Sequence, residues 1–498
     1  MRNILSFLLL LGFTGCNDFL EEASQDEIRP KTVDDMMQVM VGEAYPMGML
    51  EYAYIDYFTD DIQCNGSGDD ESVIPSVEKM YPLFSWEDDM FEKLTDKRYN
   101  TWQICYNKIM GCNTVIDYVE NVKGEQNVKD NMRGQALVLR AYYYFLLVNY
   151  YGLPYNYGNP TENLGVPLKL KMAVSDGYMK RNTVAEVYKQ ILEDLEKGIA
   201  LLEENVVEMS LYKINALVGK SILCRVYLYM EEWDKALKYA NMVLEEKGSL
   251  VSLASAPEDA MQWQGNSVWS IYNQANSNEI IWMYGGSAEF SACYPSRAEG
   301  YYPYSVSDEL IDLYEFSTEA DNHLDLRRYI YFKYNAFVDW STWRTTIYAV
   351  YGYKGGKAEK WATRGIRTAE LYLNRAEVYI RKFIETGDDN YRTLALNDLN
   401  ELRENRYDTR NVTYNKVDIS DGDELLQFYK EERRRELCFE GHRWFDLRRY
   451  GMPELTHVYF VKTGENEILT LQEEDPRYVL PIPPSALEYN PYLVQNER

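Results

Sequence analysis

Histidine is scarce: His323, His442 and His457 are the only three in 498 residues, and they stand far apart. No H-E-x-x-H pair and no cysteine cluster accompanies them, so neither a zinc site nor a histidine-based triad has the residues it needs. Glycine-rich phosphate loops are missing too, because Gly285-Gly286 and Gly355-Gly356 lack the spacing or the following Lys-Ser/Thr that would let backbone amides surround a phosphate. Beyond the first fifteen residues, no stretch reaches the roughly 18 uninterrupted apolar residues of a membrane helix. Basic residues fall short of acidic ones, 52 against 79, for a net charge of −27. Binding nucleic acid or an anionic membrane requires clustered Lys and Arg, so this balance argues against both and favours a neutral or basic ligand.

The start of the chain reads as an export signal. Arg2 supplies a cationic start, Ile4 to Phe13 an apolar run too short to span a bilayer, and Thr14-Gly15 small residues ahead of Cys16. Small residues followed by cysteine suit a lipoprotein signal peptidase, so residues 1–15 are expected to be removed and Cys16 to carry diacylglycerol and acyl lipid. Phe13 stands where leucine is usual, and an ordinary secretory signal with a chance cysteine is the alternative. The remaining cysteines, Cys64, Cys105, Cys112, Cys224, Cys293 and Cys438, show no C-x-x-C and no dense spacing, which predicts that most are buried thiols. Cys105 and Cys112, seven apart, would share one face of a helix and so a place in the core.

Periodicity predicts a mainly α protein. Val184, Val187, Ile191, Leu195, Ile199 and Leu202 recur at three and four residues, behind a capping box formed by Thr183 and Glu186. Helical hairpins of tetratricopeptide size are expected at about Arg98 to Tyr118 with Met132 to Tyr150, Lys213 to Met230 with Trp233 to Glu246, and Thr368 to Phe383 with Tyr391 to Arg406. Between them, roughly from Ser249 to Ile366, the composition turns to Gly, Ser, Asn, Tyr and Trp. Short β-like runs occur there at Ser267 to Tyr272, Glu279 to Tyr284 and Thr345 to Tyr353. Long irregular segments in a compact protein tend to carry function, which directs the search for a ligand site to this region and to Cys64 to Phe91.

The segment Glu432-Arg433-Arg434-Arg435-Glu436-Leu437-Cys438-Phe439-Glu440-Gly441-His442-Arg443-Trp444-Phe445-Asp446-Leu447-Arg448-Arg449 resembles the hallmark of SusD/RagB-type nutrient-binding lipoproteins. Leu480-Pro481-Ile482-Pro483 and Asn490-Pro491-Tyr492-Leu493-Val494-Gln495-Asn496 resemble the closing motif of that family. Leu139-Arg140-Ala141-Tyr142-Tyr143-Tyr144-Phe145 with Gly152-Leu153-Pro154 resembles its early helix, and Tyr372 to Glu377 and Leu399 to Arg403 fit it as well. The resemblance runs from Cys16 to the last residues and implies a single domain over 16–498. It implies a helical scaffold of four tetratricopeptide-like hairpins, mainly 30–248 and 366–450, with a loop-rich ligand region at 249–365 and a few short strands. It further implies a noncatalytic lipoprotein on the outer face of a Bacteroidota outer membrane, capturing oligosaccharide for a SusC-like TonB-dependent transporter. Peptide capture, found in some members of the family, is the alternative within transport.

Read as chemistry alone, the hallmark's alternating charges fit a buried helix-turn-helix junction, with Arg435, Glu440, Arg443 and Asp446 expected to neutralise one another. Two carboxylates at glycosidase separation can still arise among 79 acidic residues, which keeps a glycoside hydrolase open as an alternative. A plain protein-binding scaffold is another. Asp69-Asp70-Glu71, near Asn65 and Gly68, offers oxygen ligands to calcium but lacks the alternation of an EF-hand loop, and a solvated acidic turn is the plainer reading. The informative excess is aromatic: 45 Tyr and 10 Trp. Flat rings pack on the C–H faces of sugars, and Tyr81, Trp86, Tyr301, Tyr302, Trp340 and Trp343, all in irregular segments, are the expected platform. Trp102, Trp233, Trp269, Trp282 and Trp444 stand in helical or strand-like contexts and are expected in the core.

Overall fold

The structure is a computed structural model; it describes residues 30–46, 54–66, 70–94, 100–173, 177–207, 210–262, 267–285, 303–317, 324–339, 344–352, 354 and 364–498. Its longer helices are α1 (Val33–Val39), α2 (Asp70–Glu78), α3 (Thr101–Tyr118), α4 (Gln126–Tyr151), α5 (Val184–Glu204), α6 (Ala216–Tyr229), α7 (Trp233–Glu246), α8 (Thr368–Thr386), α9 (Asp389–Glu404), α10 (Gly422–Leu437) and α11 (Arg443–Arg449). The three expected hairpins are α3/α4, α6/α7 and α8/α9. Each of α3 to α7 packs on the next, α7 packs on α8, and α8 packs on both α9 and α10, so the helices form one continuous stack. Among the described residues, no helix is long and apolar enough to cross a membrane.

Local chemistry sets the ends of these helices. The Thr183 hydroxyl accepts from the Glu186 amide at 3.2 Å while the Glu186 carboxylate accepts from the Thr183 amide at 3.0 Å, the reciprocal box that starts α5. Asn215 caps α6 and Asp421 caps α10. The α5 stripe Val184, Val187, Ile191, Leu195, Ile199 and Leu202 is buried throughout. Its approach to α4 depends on two glycines: a Cβ on Gly198 would lie 2.9 Å from the Gly134 carbonyl oxygen, and one on Gly134 would lie 3.0 Å from that of Gly198. Just along the same contact, Arg140 of α4 grips Asp194 of α5 through two bonds of 2.7 Å and Asn113 of α3 at 2.8 Å, tying three helices with one buried side chain.

Strands form four separate two-stranded antiparallel ribbons: β1 (Ile62–Cys64) with β3 (Tyr304–Val306), β2 (Ile280–Tyr284) with β6 (Arg364–Arg367), β4 (Phe332–Asp339) with β5 (Arg344–Gly352), and β7 (Leu455–Lys462) with β8 (Glu465–Leu471). Two of the three expected β-like runs are therefore strands. Ser267 to Tyr272 is not, because its serines turn the chain instead: Ser267 Oγ accepts from the Trp269 amide at 3.2 Å and Ser270 Oγ from the Tyr272 amide at 3.0 Å. Trp102, Trp269, Trp282 and Trp444 are buried as expected, and Trp233 is half-buried. Cys105 and Cys112 are buried thiols on α3, as are Cys224 on α6 and Cys438 at the end of α10, while Cys64 is half-buried.

Candidate functional site

The hallmark occupies α10, a reversal at Phe439 (φ 58°) and Gly441 (φ 80°), and α11. Its carboxylates sit in the interior among cations brought from distant segments. Glu436 accepts from Arg406 at 2.9 Å, Arg367 at 2.9 Å and Arg327 at 3.1 Å. Glu432 accepts from Arg403 at 2.5 Å, Arg327 at 2.7 Å and Arg435 at 3.0 Å. Glu440 accepts from Arg367 at 2.6 Å and Lys354 at 2.7 Å, and Glu279 from Arg406 at 2.9 Å and Arg367 at 3.1 Å. Burial alone would raise Glu436 and Glu440, but the cations outweigh it: Arg406, Arg367 and Arg327 hold Glu436 well below the usual carboxylate range, and Arg367 with Lys354 brings Glu440 to about 2.

A glycosidase acid needs the opposite shift, a carboxyl kept protonated near neutral pH, which is not the shift of Glu436 or Glu440. The expectation that Arg435, Glu440, Arg443 and Asp446 neutralise one another is corrected by the geometry. Arg435 pairs with Glu432, Glu440 with Arg367 and Lys354, Arg443 with Asp60 at 2.6 Å, and Asp446 with Arg433 and Arg449. The reversal at Phe439 and Gly441 turns these four side chains towards different neighbours.

The expected aromatic platform meets a mixed outcome. Trp86 is corrected: it is 1 % exposed, its indole N–H donates to the Phe58 carbonyl at 3.0 Å, and its ring stacks on His457 at 4.2 Å. The irregular stretch that carries it runs beneath β7, so the large apolar ring is buried and offers no open face. Tyr81 is half-buried with its ring edge-on to Tyr459 at 4.6 Å. Tyr301, Tyr302, Trp340, Trp343 and Cys16, the expected lipidation residue, lie outside the described residues. So does Asp69 of the acidic turn, while Asp70 opens α2; among the described residues, no group of three His, Cys, Asp or Glu is placed to hold a metal ion.

An open aromatic groove lies elsewhere. Trp102, Tyr106 and Met110, one turn apart on α3, make its floor; Pro167, Lys169 and Gly177 to Met179 make one wall, and Ala486, Tyr489, Asn490 and Leu493 the other. The space between them is about 540 Å³. Tyr178, Tyr489 and the neighbouring Tyr492 are 59 %, 80 % and 54 % exposed, and Tyr178 and Tyr492 stack at 5.6 Å. Asn490 joins the walls by donating to the Met179 carbonyl at 2.8 Å, and the Tyr106 hydroxyl ties the floor to Pro167 at 2.7 Å.

The second wall is held by the closing motif. Arg181 donates to the Val494 carbonyl at 3.0 Å and Asn496 Oδ1 at 2.8 Å while also bonding the Tyr151, Leu164 and Gly165 carbonyls. Gln495 accepts from the Ile482 amide and donates to its carbonyl. Exposed rings on a pinned backbone form a preorganised stacking surface, which lowers the ordering cost of binding. Sequence reasoning placed Trp102 in the core and did not single out Tyr106, Tyr178, Tyr489 or Tyr492. The available signal was Tyr489-Asn490-Pro491-Tyr492, two aromatics in an irregular Asn/Pro tail.

Two family profiles match the chain, one described as "Starch-binding associating with outer membrane" over residues 18–228 and one as "SusD family" over residues 312–498. The chain belongs to the SusD/RagB family. Of SusD-like proteins from Formosa agariphila, one is 24 % identical over 433 residues, covering 79 % of each chain, and another 23 % identical over 392 residues, covering 70 % of this chain and 72 % of the other. A solved SusD superfamily protein from Bacteroides thetaiotaomicron superposes with a TM-score of 0.66 at 20 % identity, covering 94 % of this chain and 100 % of that one. A solved SusD-like carbohydrate binding protein from Bacteroides vulgatus gives 0.64 at 20 %, with 93 % and 97 % covered. The SusD/RagB fold, a stack of helical hairpins carrying short strands, is thus common to this chain and to both solved proteins.

Proposed function

We propose that this SusD/RagB chain is a noncatalytic glycan-binding lipoprotein, anchored through lipid on Cys16 to the outer face of the outer membrane, which holds oligosaccharide for a SusC-like TonB-dependent transporter. The observation that carries the reading is the groove: three tyrosines more than half exposed around an apolar floor, on a backbone pinned by Arg181 and Asn490. Tyrosine faces suit the C–H faces of pyranose rings, and their hydroxyls reach the sugar's own. Tyr81, Tyr301, Tyr302, Trp340 and Trp343 are proposed as a further part of the glycan surface. Support for a noncatalytic role comes from Glu432, Glu436 and Glu440 of the hallmark, each held as an anion by guanidinium groups. The carbohydrate-binding description of the Bacteroides vulgatus protein points the same way.

Affinity gel electrophoresis against a polysaccharide panel tests the proposal. Retardation in at least one gel is expected, relieved by Tyr489→Ala, with no new reducing ends released from the retained glycan. A protein that ignores every polysaccharide but binds peptides would move the assignment to peptide uptake, and release of reducing ends would make it a hydrolase.

A further inference from the structure

The groove differs in charge from the chain that carries it. The chain has 79 carboxylate residues, yet among the described residues none lines the groove, and the charged residue that does is Lys169. Lys180, next to the wall residue Met179, stands 5.9 Å from the centre of the Tyr492 ring. Arg181, beneath the same wall, spends its hydrogen bonds on carbonyl and amide oxygens. Lys169 Nζ likewise donates to a carbonyl, that of Ala173. Among the described residues, none of these three cations pairs with a carboxylate, in a protein whose interior arginines are nearly all paired. Asp117 is already engaged by Lys171 at 3.2 Å and by the Met172 amide at 3.0 Å, and the exposed Glu488 is not part of the lining.

We propose that the groove takes an anionic oligosaccharide, whose uronate or sulfate groups meet Lys169 and Lys180 while its sugar rings lie on Tyr178, Tyr489 and Tyr492; this rests on the glycan reading above. The net charge of −27 does not oppose it at close range, because at 0.1 M salt charges farther apart than about 10 Å are largely screened and the nearest cations decide. It also separates the groove from basic peptides, which the chain's overall charge would attract but which these lysines repel locally.

Isothermal titration of the full-length lipoprotein in detergent, at fixed 0.15 M salt, compares three probes: oligogalacturonate, a sulfated galactan oligosaccharide and neutral maltohexaose. At least one anionic probe is expected to bind about tenfold or more tightly than maltohexaose. Lys169→Gln and Lys180→Gln are each expected to weaken that probe about threefold or more while leaving any maltohexaose binding unchanged, and Tyr489→Ala to abolish both. Equal or tighter binding of maltohexaose would overturn the anionic assignment and leave glycan capture standing. Anionic binding that survives both lysine variants and Tyr489→Ala would overturn the placement in this groove. Failure of all three probes, together with no retardation by any polysaccharide in the gels, would overturn glycan capture itself; failure of the anionic probes beside retardation by a neutral polysaccharide would overturn only the anionic assignment. The variant side chains lie at the surface, so an unchanged melting temperature verifies folding in each case.

Discussion

Glu436→Gln isolates what the buried charge cluster contributes. In the protein, Arg327, Arg367, Arg403, Arg406, Arg435 and Lys354 pair with the interior acids Glu279, Asp325, Glu432, Glu436 and Glu440 and, at the edge of the cluster, with Glu315 and Glu431. Glutamine keeps the shape and one acceptor oxygen but removes the negative charge that Arg327, Arg367 and Arg406 share, where no water reaches them. Removing one partner of a buried ion pair costs about 3–5 kcal/mol. Unfolding entropy of about 2.1 cal/mol/K per residue gives roughly 1 kcal/mol/K for a chain this long, so each kcal/mol lowers Tm by about 1 °C. The expected result by scanning calorimetry is a fall of about 3–5 °C. Adding Arg406→Gln restores the balance, and the double variant should lose less than the two single losses together. A Glu436→Gln protein melting within about 1 °C of the parent, or strict additivity in the double variant, would refute the argument that pairing of charge at Glu436 is what this cluster needs.

Acid should unfold the protein through its paired carboxylates: burial would raise Asp60, Glu377 and Glu440, but adjacent arginines (with Lys354 at Glu440) bring each to about 2, below the roughly 4 of an unfolded chain. The stability from such depressed groups is complete above about pH 4 and is lost as pH falls towards 2; a fluorescence-monitored titration flat across that window would contradict it. Gly198→Ala should destabilise by about 1–3 kcal/mol, because the new methyl would sit 2.9 Å from both the Gly134 carbonyl oxygen and Val138 Cγ2 and force α4 and α5 apart; a melting temperature equal to the parent's would count against the close crossing. Arg181→Met should release the closing tail, seen as faster amide exchange over residues 490–498 with α8 and α10 unaffected.

The scaffold was legible because helix-forming information is local. Thr183 and Glu186 cap α5 three residues apart, and the stripe from Val184 to Leu202 needs only its own spacing to declare which face is buried. The hallmark was legible as buried paired charge, but its partners were not, since Asp60, Glu279, Arg327, Arg367 and Arg406 come from segments tens to hundreds of residues away. Trp86 shows the limit of judging exposure from composition: an irregular segment can run beneath a ribbon, and only tertiary packing on His457 decides that this indole is inside. Ser267 to Tyr272 failed for a local reason instead, its serines satisfying the amides two residues on before any strand could pair with them.

The same long-range pairing explains how a loop-rich region can present a fixed surface. Glu279 precedes β2, Arg327 and Lys354 flank the β4/β5 ribbon, and Arg367 ends β6, so four points of the region between α7 and α8 are fastened to Glu432, Glu436 and Glu440 or to the arginines those acids hold. Each bond is directional and buried, and a displaced loop would strand a charge in the interior, which costs far more than losing an apolar contact. The charge-dense hallmark therefore acts as a fastener between scaffold and loops rather than as a site. Elsewhere, the closing motif does the same for the aromatic groove with amide and carbonyl bonds, holding the backbone beside the exposed Tyr489 and Tyr492.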